Sequence, residues 1–381
     1  MNTVKLGSIC ELITRGISPK YTEDEKLGVT VLNQKCIRNK TVLYEFSRLH
    51  NLSVKSVNKS KFVKSGDVLI NSTGHGTLGR TALAENINEP LLVDSHVTIL
   101  RPFEGLFEPR YFAYLIGRSE NDFIKMATGT SGQTELPRAL LNDYEISYEP
   151  SIEEQRRIVA KLDAAFEKID QAIELTEENL LRAKSLYTSA RREAIKKLAG
   201  NESNFINNIG KNLDNMRVPI TKSKRKSGQY PYYGASGIVD YVDNYIFDQV
   251  ALLISEDGAN LLARSTPIAF VASGKYWVNN HAHIYSFSDT ATLKYVEYYL
   301  ENTDLKPFIT GAAQPKLSQS NLNKIPIFIP PLDIQKKAVN IISEAERNAR
   351  KLTSLYTDKI NHMKALKQSM LTQAFSTTNK V

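Results

Sequence analysis

The sequence has only two cysteines, Cys10 and Cys36, among 381 residues. That is too few for a disulfide framework or a thiolate metal cluster. It has no run of about 18 consecutive apolar residues, the length that a membrane-spanning helix needs, and its first residues lack the apolar stretch of a secretory signal. We therefore expect an intracellular protein that acts in the cytoplasm.

Motifs of catalysis are also scarce. No glycine-rich cofactor fingerprint follows a strand and opens a helix, and no Asn-Pro-Pro-aromatic motif of base methylation occurs. Residues 74–81 resemble the phosphate loop G-x-x-x-x-G-K-[ST], but Arg80 replaces the lysine. His281 and His283 lack a nearby cysteine or carboxylate triad, so we interpret them as packed or hydrogen-bonded residues. We expect neither a catalytic residue nor a metal site in this chain.

The charge is mildly basic, with 49 Lys and Arg against 41 Asp and Glu and a net charge of +8. This balance agrees with a polyanionic partner, although many unrelated proteins share it. The length predicts two or more domains, each able to bury a core.

The two halves of the sequence match each other in the same order. The shift in residue number drifts slowly along the chain, as a tandem duplication with small insertions and deletions predicts, whereas chance matches need not be collinear. The paired positions include Gly74 with Gly258, Arg80 with Arg264, His96 with His281, Gly129 with Gly311, and Gln155 with Gln335.

Each copy begins with a mixed α/β domain, at 1–150 and 201–330. Short apolar runs broken by Gly, Pro, Asn and Ser predict strands. They lie at Val68–Asn71, Val97–Leu100, Ala251–Ile254, Ile268–Val271 and Ile325–Ile329. One short helix is predicted in each domain, at Phe107–Arg118 and Leu293–Glu301.

Each copy ends in a long helix, within 151–200 and 331–381. Residues 152–198 and 332–375 contain no Pro or Gly and carry a sustained heptad seam. In the second helix the predicted seam is Val339, Ile342, Ala345, Ala349, Leu352, Tyr356, Ile360, Met363, Leu366 and Met370. Each helix should be about 65–70 Å long at 1.5 Å per residue.

The order of these segments predicts an overall architecture. The first long helix leaves domain one and reaches domain two, and a seam between the two helices makes the second run back. We therefore expect an α+β fold of two globular domains in a pseudo-two-fold arrangement, separated by an antiparallel coiled coil. Such a shape suits a split target on duplex DNA, whose helical turn is about 34 Å.

Candidate DNA contacts lie in basic, polar and aromatic loops, which can hold phosphates or reach base edges. Solvated or turn-stabilising loops are the alternative, and Arg80 and Arg264 either form buried ion pairs or face DNA phosphates. The candidates in the first copy are Lys35, Arg38, Lys40, Thr73, His75, Thr77, Arg80, Ser131 and Gln133. Those in the second are Lys222, Lys224, Arg225, Lys226, Tyr232, Tyr233, Ser236, Asn260, Arg264, Gln314 and Lys316.

The duplicated plan resembles the specificity subunits of type I restriction-modification systems. The resemblance covers essentially the whole chain and is carried by the helix entries at 149–159 and 329–339, with further matches at 230–237, 255–260 and 277–283. Glu149-Pro150 stands where the family prefers two prolines, and Asp333-Ile334 where it prefers two acidic residues.

This resemblance implies a division of labour. Each target-recognition domain would read one half of a bipartite duplex site, and the helices would set the spacer and dock two methyltransferase subunits. S-adenosylmethionine, ATP and Mg would bind to partner subunits, among them a translocase-nuclease, and no cofactor to this chain. The alternatives are a coiled-coil scaffold that binds only proteins, or a stand-alone nuclease or transferase, which the missing motifs disfavour.

Overall fold

The computed structural model describes residues 2–129, 134–311 and 313–376. The chain divides into two compact units. Unit 1 contains Met1–Leu175 and Lys359–Val381, and unit 2 contains Thr176–Asp358. Each boundary falls inside a long helix, so each unit includes the start of one long helix and the end of the other.

The first half of the chain contains twelve strands and four α-helices among its described residues. The strands are β1 (Asn2–Lys5), β2 (Cys10–Arg15), β3 (Tyr21–Thr22), β4 (Gly28–Leu32), β5 (Ile37–Arg38), β6 (Thr41–Val42), β7 (Arg48–Asn51), β8 (Val68–Asn71), β9 (Thr81–Leu83), β10 (Leu91–Val93), β11 (Val97–Pro102) and β12 (Glu145–Tyr148). The helices are α1 (Pro109–Gly117), α2 (Glu120–Met126), α3 (Arg138–Asp143) and α4 (Ile152–Leu198).

The second half contains ten strands and five α-helices among its described residues. The strands are β13 (Ser203–Asn204), β14 (Lys211–Asn212), β15 (Ser227–Gly234), β16 (Gly237–Val242), β17 (Phe247–Asp248), β18 (Ala251–Ser255), β19 (Ala269–Ala272), β20 (Lys275–Val278), β21 (Ala282–Ser286) and β22 (Ile327–Phe328). The helices are α5 (Ile206–Ile209), α6 (Asn260–Ala263), α7 (Thr290–Asn302), α8 (Gln319–Leu322) and α9 (Leu332–Ala374).

One antiparallel sheet has the same strand order in both units. Unit 1 has the order β2-β11-β8-β9 and unit 2 has β14-β21-β18-β19. A two-stranded pair closes each domain, β1 with β12 and β13 with β22. The repeated topology supports the tandem duplication that the sequence predicts.

Both faces of this shared sheet are buried, which explains its continuous apolar strands. In unit 1, Val68 and Ile70 pack in a core with Tyr111 of α1, whereas Leu69 faces Leu32 of the other sheet. The pattern recurs in unit 2, where Leu252 and Ile254 pack with α7 and Leu253 packs with β17 and β20. Each domain therefore has three layers. A helix packs on one face of the shared sheet, and a second sheet packs on the other face.

The second sheet differs between the units. Its order is β10-β4-β7-β3 in unit 1 and β16-β15-β20-β17 in unit 2. Each contains one parallel pair, β4 with β10 and β15 with β20, but the remaining strands are arranged differently. The duplicated domains therefore share the first sheet and the helix packed on it, which we call the common frame, and they differ in the second sheet.

Two paired glycines show why the repeat keeps this residue type. Gly74 and Gly258 follow equivalent strands and have φ of +103° and +108°. A side chain is strained in that region of backbone space, so both turns favour glycine. The same holds for Gly129 and Gly311.

Antiparallel helix segments pack together within each unit. Unit 1 joins the start of α4 to the end of α9, with a shared core that contains Val159, Leu162, Phe166, Leu371 and Phe375. Unit 2 joins the end of α4 to the start of α9 through Ala194, Ile195, Ala338 and Ile342. The predicted mixed α/β class with two long, mutually packed helices is confirmed.

The predicted helix seam is wrong at one position. Leu366 is 50% exposed, while the neighbouring Lys367 lies over the ring of Phe166 at 4.9 Å and pairs with Asp170 at 2.7 Å. The long alkyl chain of lysine can cover an apolar surface while its charge is paired. The buried face of α9 therefore includes the charged residue Lys367 in place of Leu366.

A buried glutamine fixes the start of each long helix to its domain. Gln155 accepts a hydrogen bond from the Glu108 backbone N–H at 2.8 Å and donates to the carbonyl of Glu149 at 2.6 Å. Gln335 accepts from the Thr292 hydroxyl at 2.8 Å and donates to the carbonyl of Pro330 at 2.7 Å. These are the paired glutamines of the helix entries.

The strand predicted at 325–329 is shorter in the structure, where it spans Ile327–Phe328. Over the described ranges, no helix has both the length and the apolar composition needed to cross a membrane.

Candidate nucleic-acid interface

The basic segment of unit 2 divides into one anchor and three exposed lysines. Arg225 donates to the carbonyl of Ile220 at 3.0 Å, pairs with Asp240 at 3.2 Å and lies over the ring of Tyr232 at 4.4 Å. The exposed lysines are Lys222, Lys224 and Lys226. The arginine therefore holds the turn in place, while the lysines offer their ammonium groups to solvent or to phosphates.

The two candidate tyrosines of β15 occupy internal positions. Tyr232 is buried, and its hydroxyl accepts from the Ile220 backbone N–H at 2.9 Å. Tyr233 is half-buried against Tyr276, and burial raises the pKa of its hydroxyl. Ser236 is exposed in the turn between β15 and β16. Of the three, only Ser236 offers a freely accessible side chain.

Asn260 and Arg264 hold the loop after β18. The Asn260 side chain donates to the Thr266 carbonyl at 3.0 Å and accepts from Ser265 and Thr266 at 3.0 Å. Arg264 donates to the carbonyl of Thr303, just after α7, at 2.7 Å. Burial lowers the pKa of Arg264 from its usual value. The polar groups of this loop are largely engaged within the domain.

Gln314 and Lys316 lie on a neighbouring segment. Both are exposed, and the ammonium of Lys316 lies 3.3 Å from Glu256. Backbone bridges join Lys316 to Asp257 and to Thr310. The loop after β18 and the neighbouring backbone of Lys316 therefore form one surface.

A buried charged network supports that surface. His283 Nδ1 lies 2.6 Å from Asp214 and its Nε2 lies 2.9 Å from the carbonyl oxygen of Leu317. Arg217 pairs with Glu256 at 2.7 Å and with Asp214 at 3.4 Å. Both ring nitrogens of His283 therefore lie within hydrogen-bond distance of an oxygen atom. Burial raises the pKa of Asp214. The hydrogen bond and charge of His283, a backbone hydrogen bond and the charge of Arg217 together outweigh burial and leave that pKa below its usual value.

The corresponding loop of unit 1 contains Thr73, His75, Thr77 and Arg80. The Thr73 hydroxyl lies 2.6 Å from His96 Nδ1, and the Thr77 hydroxyl donates to Gln34 at 3.1 Å. His75 is exposed and Arg80 half-buried. Ser131 and Gln133 lie outside the described residues.

His96 and His281 occupy matching turns. The His96 backbone N–H donates to Asp94 at 2.9 Å, and that of His281 donates to Asn279 at 2.8 Å. The rings then contact Thr73 and Asp257, respectively. These paired contacts agree with the packed or hydrogen-bonded role expected of the histidines.

Three basic candidates of unit 1 lie between residues 35 and 40 and have different surroundings. Lys35 and Arg38 are exposed, and Arg38 lies over the Phe46 ring at 5.3 Å. Lys40 has a φ of +63° in the turn between β5 and β6. Burial lowers the pKa of its ammonium, against the opposing effect of Glu120. Lys35 and Arg38 are therefore accessible to a polyanion, whereas Lys40 is directed towards the domain.

The structure brings part of the unit 1 set together. The turn that contains Lys35 contacts both the end of β8 and the loop after it. Asn71 donates to the Gln34 carbonyl at 3.0 Å, and the Thr77 hydroxyl donates to the Gln34 side chain at 3.1 Å. Lys35, Thr73 and Thr77 therefore belong to one polar surface.

Several exposed side chains beside these candidates were not predicted. In unit 1, Arg48 lies over the ring of Tyr21 at 3.4 Å, and Tyr44 and Phe46 are exposed nearby in sequence. In unit 2, the exposed side chains of β16 are Ile238, Val239 and Tyr241. Alternation of apolar residues predicts a strand but not which face is covered, so the sequence offered no signal for them.

Across the described parts of the chain, no group of three or more His, Cys, Asp or Glu side chains could hold a metal ion. The cysteines are free and buried, and burial raises the pKa of Cys10 to about 12.

Two units with a common frame, and two long helices that each have segments in both units, define a tandemly duplicated α/β protein. The family model of the type I restriction modification DNA specificity domain matches residues 1–182 and again residues 200–362. The chain therefore belongs to this family of type I restriction-modification specificity proteins.

Two relatives illustrate the sequence similarity. A putative type I restriction enzyme specificity subunit of Haemophilus influenzae, S.HindORF215P, is 37% identical over 149 residues, which cover 39% of this chain and 38% of that protein. That alignment therefore spans well under half of either protein. The putative MjaX specificity subunit of Methanocaldococcus jannaschii is 24% identical, with 94% of this chain and 91% of that protein covered.

Solved structures share the fold. A chain from a type I R-M system has a TM-score of 0.75 at 16% identity, with 99% of this chain and 97% of that chain covered. The HsdS subunit from Thermoanaerobacter tengcongensis has a TM-score of 0.54 at 17% identity, with 98% of this chain and 96% of that chain covered. At these identities the likeness concerns the fold alone.

Proposed function

We propose that this chain is the DNA-recognition subunit of a type I restriction-modification complex and that each unit reads one half of a bipartite duplex site. The observation that carries the proposal is the duplicated domain whose frame is repeated while its second sheet differs. Two domains with a common frame can contact equivalent parts of the duplex, and different second sheets can select different bases.

The exposed cations support a division between affinity and specificity. Phosphate contacts position a protein on DNA, and base contacts select the sequence. Lys222, Lys224 and Lys226 in unit 2, with Lys35 and Arg38 in unit 1, are accessible for the first task. Tyr232, Asn260 and Arg264 have internal hydrogen-bond partners and would support the loops around the interface.

The long helices would set the spacer between the half-sites and bind two methyltransferase subunits. Exposed apolar side chains on α4 and α9 support a partner-binding role, among them Leu181, Leu186 and Leu355. S-adenosylmethionine, ATP and Mg would be bound by the methyltransferase and the translocase-nuclease. This chain would act in the cytoplasm and contribute no catalytic residue.

Selection from a random pool of DNA duplexes by the purified full chain tests the recognition function. We expect enriched duplexes with two specified segments separated by a spacer of constant length. Retention of duplexes without any sequence enrichment would contradict the proposal, because charge alone would then explain the binding. The same protein, incubated with labelled S-adenosylmethionine and no partner, is expected to transfer no methyl group.

A further inference from the structure

The second sheet of unit 2 ends in a two-stranded antiparallel ribbon. The sheet order places β16 at the edge, paired with β15 only. A short turn through Ala235 and Ser236 connects the two strands. Edge strands of soluble proteins usually carry features that prevent further pairing, and β16 has a bulge of this kind.

Three apolar side chains of β16 are exposed. Ile238 is 46% exposed, Val239 is 54% exposed and Tyr241 is 50% exposed. Tyr232 pairs with Asp240 and Tyr233 with Ile238, so Val239 is an extra residue without a partner in β15. Such a bulge redirects a side chain and twists the strand. Exposed apolar residues grouped on an edge strand therefore point to a ligand.

Positive charge lies directly beside this surface. Asp240 pairs with Arg225 at 3.2 Å, and the hydrogen bond from Arg225 lowers the pKa of Asp240, with a smaller contribution from the charge of Lys222. The anchored arginine thus holds the segment of Lys222, Lys224 and Lys226 against the ribbon. A groove of duplex DNA has phosphates along its rim and partly apolar base edges inside. An apolar strip next to exposed lysines is complementary to such a groove.

We propose that the β15–β16 ribbon enters the major groove of one half-site and reads bases through Ile238, Val239 and Tyr241, while the adjacent lysines contact phosphates. The inference rests on the proposed DNA-recognition function. The major groove is about 12 Å wide and admits a two-stranded ribbon, whereas the minor groove is about 6 Å wide. Thymine also presents its C5-methyl group there, which apolar side chains recognise.

The test uses the full-length chain and selection from a random duplex pool. The variants are Val239→Ala, Ile238→Ala and Tyr241→Ala. The matched control is Val250→Ala, because Val250 is 47% exposed in the same unit but lies outside the ribbon. Each altered side chain is exposed, so the variants are expected to fold, and the unchanged Trp277 fluorescence of each variant verifies this.

We expect the ribbon variants to relax base preference in one half-site only. The other half-site and the spacer should match those selected by the parent protein, and Val250→Ala should change nothing. Loss of the contact between a side chain and one thymine methyl group should weaken binding to the selected site about fourfold. The reason is that burial of one methyl group contributes about 0.8 kcal/mol.

A change in the DNA, from thymine to deoxyuridine, complements the protein variants. Replacement of a contacted thymine by deoxyuridine removes the C5-methyl group and should weaken the parent protein about fourfold. If Val239 contacts that thymine, the Val239→Ala variant should bind the thymine and deoxyuridine duplexes with nearly equal affinity. The variant already lacks the contact between the side chain and the methyl group.

The lysines should behave differently from the ribbon. Lys222→Gln, Lys224→Gln and Lys226→Gln should weaken binding to all sequences alike. Each should reduce the slope of log affinity against log salt by about 0.9 if that lysine neutralises one phosphate. The selected sequence should stay the same.

The outcomes separate the inference from the function on which it rests. A parent protein that selects a split site, together with ribbon variants that keep both half-sites unchanged, would overturn the ribbon inference and leave the function standing. Ribbon variants that keep the DNA preference but lose binding of a protein partner would overturn it in favour of a protein interface. A parent protein that selects no sequence would refute the recognition function itself.

Discussion

Substitution of Asp214 by asparagine should destabilise unit 2 strongly. The carboxylate lies 2.6 Å from His283 and 3.4 Å from Arg217, and its second oxygen accepts from the Ile284 backbone N–H at 2.8 Å. Removing one member of a buried ionic network leaves the other charges without compensation and costs about 3 kcal/mol.

Trp277 makes this loss measurable. It is the only tryptophan of the chain and lies in unit 2, where its ring N–H donates to the carbonyl of Val218 at 2.6 Å. With a urea dependence of about 3 kcal/mol per molar, the midpoint of the fluorescence transition should fall by about 1 M. Asp257→Asn is the matched control, because Asp257 pairs with the exposed His281 and its loss should cost about 1 kcal/mol or less.

The loss of stability caused by Asp214→Asn should also depend on pH. The pKa of Asp214 is lower in the folded state than its ordinary value of 3.8, so its contribution is present above that value and is lost as the pH falls through the folded pKa. The parent and Asp214→Asn should therefore differ at pH 7 and converge in more acidic solution. An equal urea midpoint for the two proteins at pH 7 would refute the stabilising role of the network.

Three further outcomes are expected. Gln155→Leu should cost about 1–3 kcal/mol and lower the melting temperature in circular dichroism, since it leaves buried backbone groups unpaired, and an unchanged melting temperature would contradict the helix-entry contact. Cys10 and Cys36 should react with iodoacetamide at pH 8 only after denaturant is added, and rapid labelling of the native chain would contradict their burial. Arg264→Ala should cost about 1.5–3 kcal/mol through loss of the bond to Thr303 yet keep the salt dependence of DNA binding, and a reduced salt slope would show a phosphate contact instead.

The frame of each domain was predictable because its pattern is local and repeated. Val68–Asn71 reads as a buried strand and is one, with alternate residues facing a helix and a second sheet. Residues 152–198 lack Pro and Gly and form one helix, Ile152–Leu198. The order of matched residues predicted two domains of common topology.

The interface was less predictable because its residues depend on contacts distant in sequence. A run of basic residues does not reveal that Arg225 is anchored by Ile220 and Asp240 while the lysines around it are exposed. Nor does it reveal the bulge at Val239, which depends on the pairing of two strands. Lys40 has a positive φ, which no composition rule anticipates for lysine.

The error at Leu366 has a similar origin. Hydrophobicity alone favoured the leucine as a seam residue, but Lys367 occupies the contact because Phe166 and Asp170 together satisfy both its alkyl chain and its charge. Charged residues with long apolar stems can replace aliphatic ones in a helix pair, and the partner helix determines where this happens.

The most direct test of the central claim, that two similar units read two halves of one site, is to map N6-methyladenine in genomic DNA from cells with and without this gene. We predict that the cells with the gene methylate one split motif, with specified bases on both sides of a spacer of constant length, and that this motif loses its methylation without the gene. Loss of no motif, or loss of a single continuous motif, would contradict the claim.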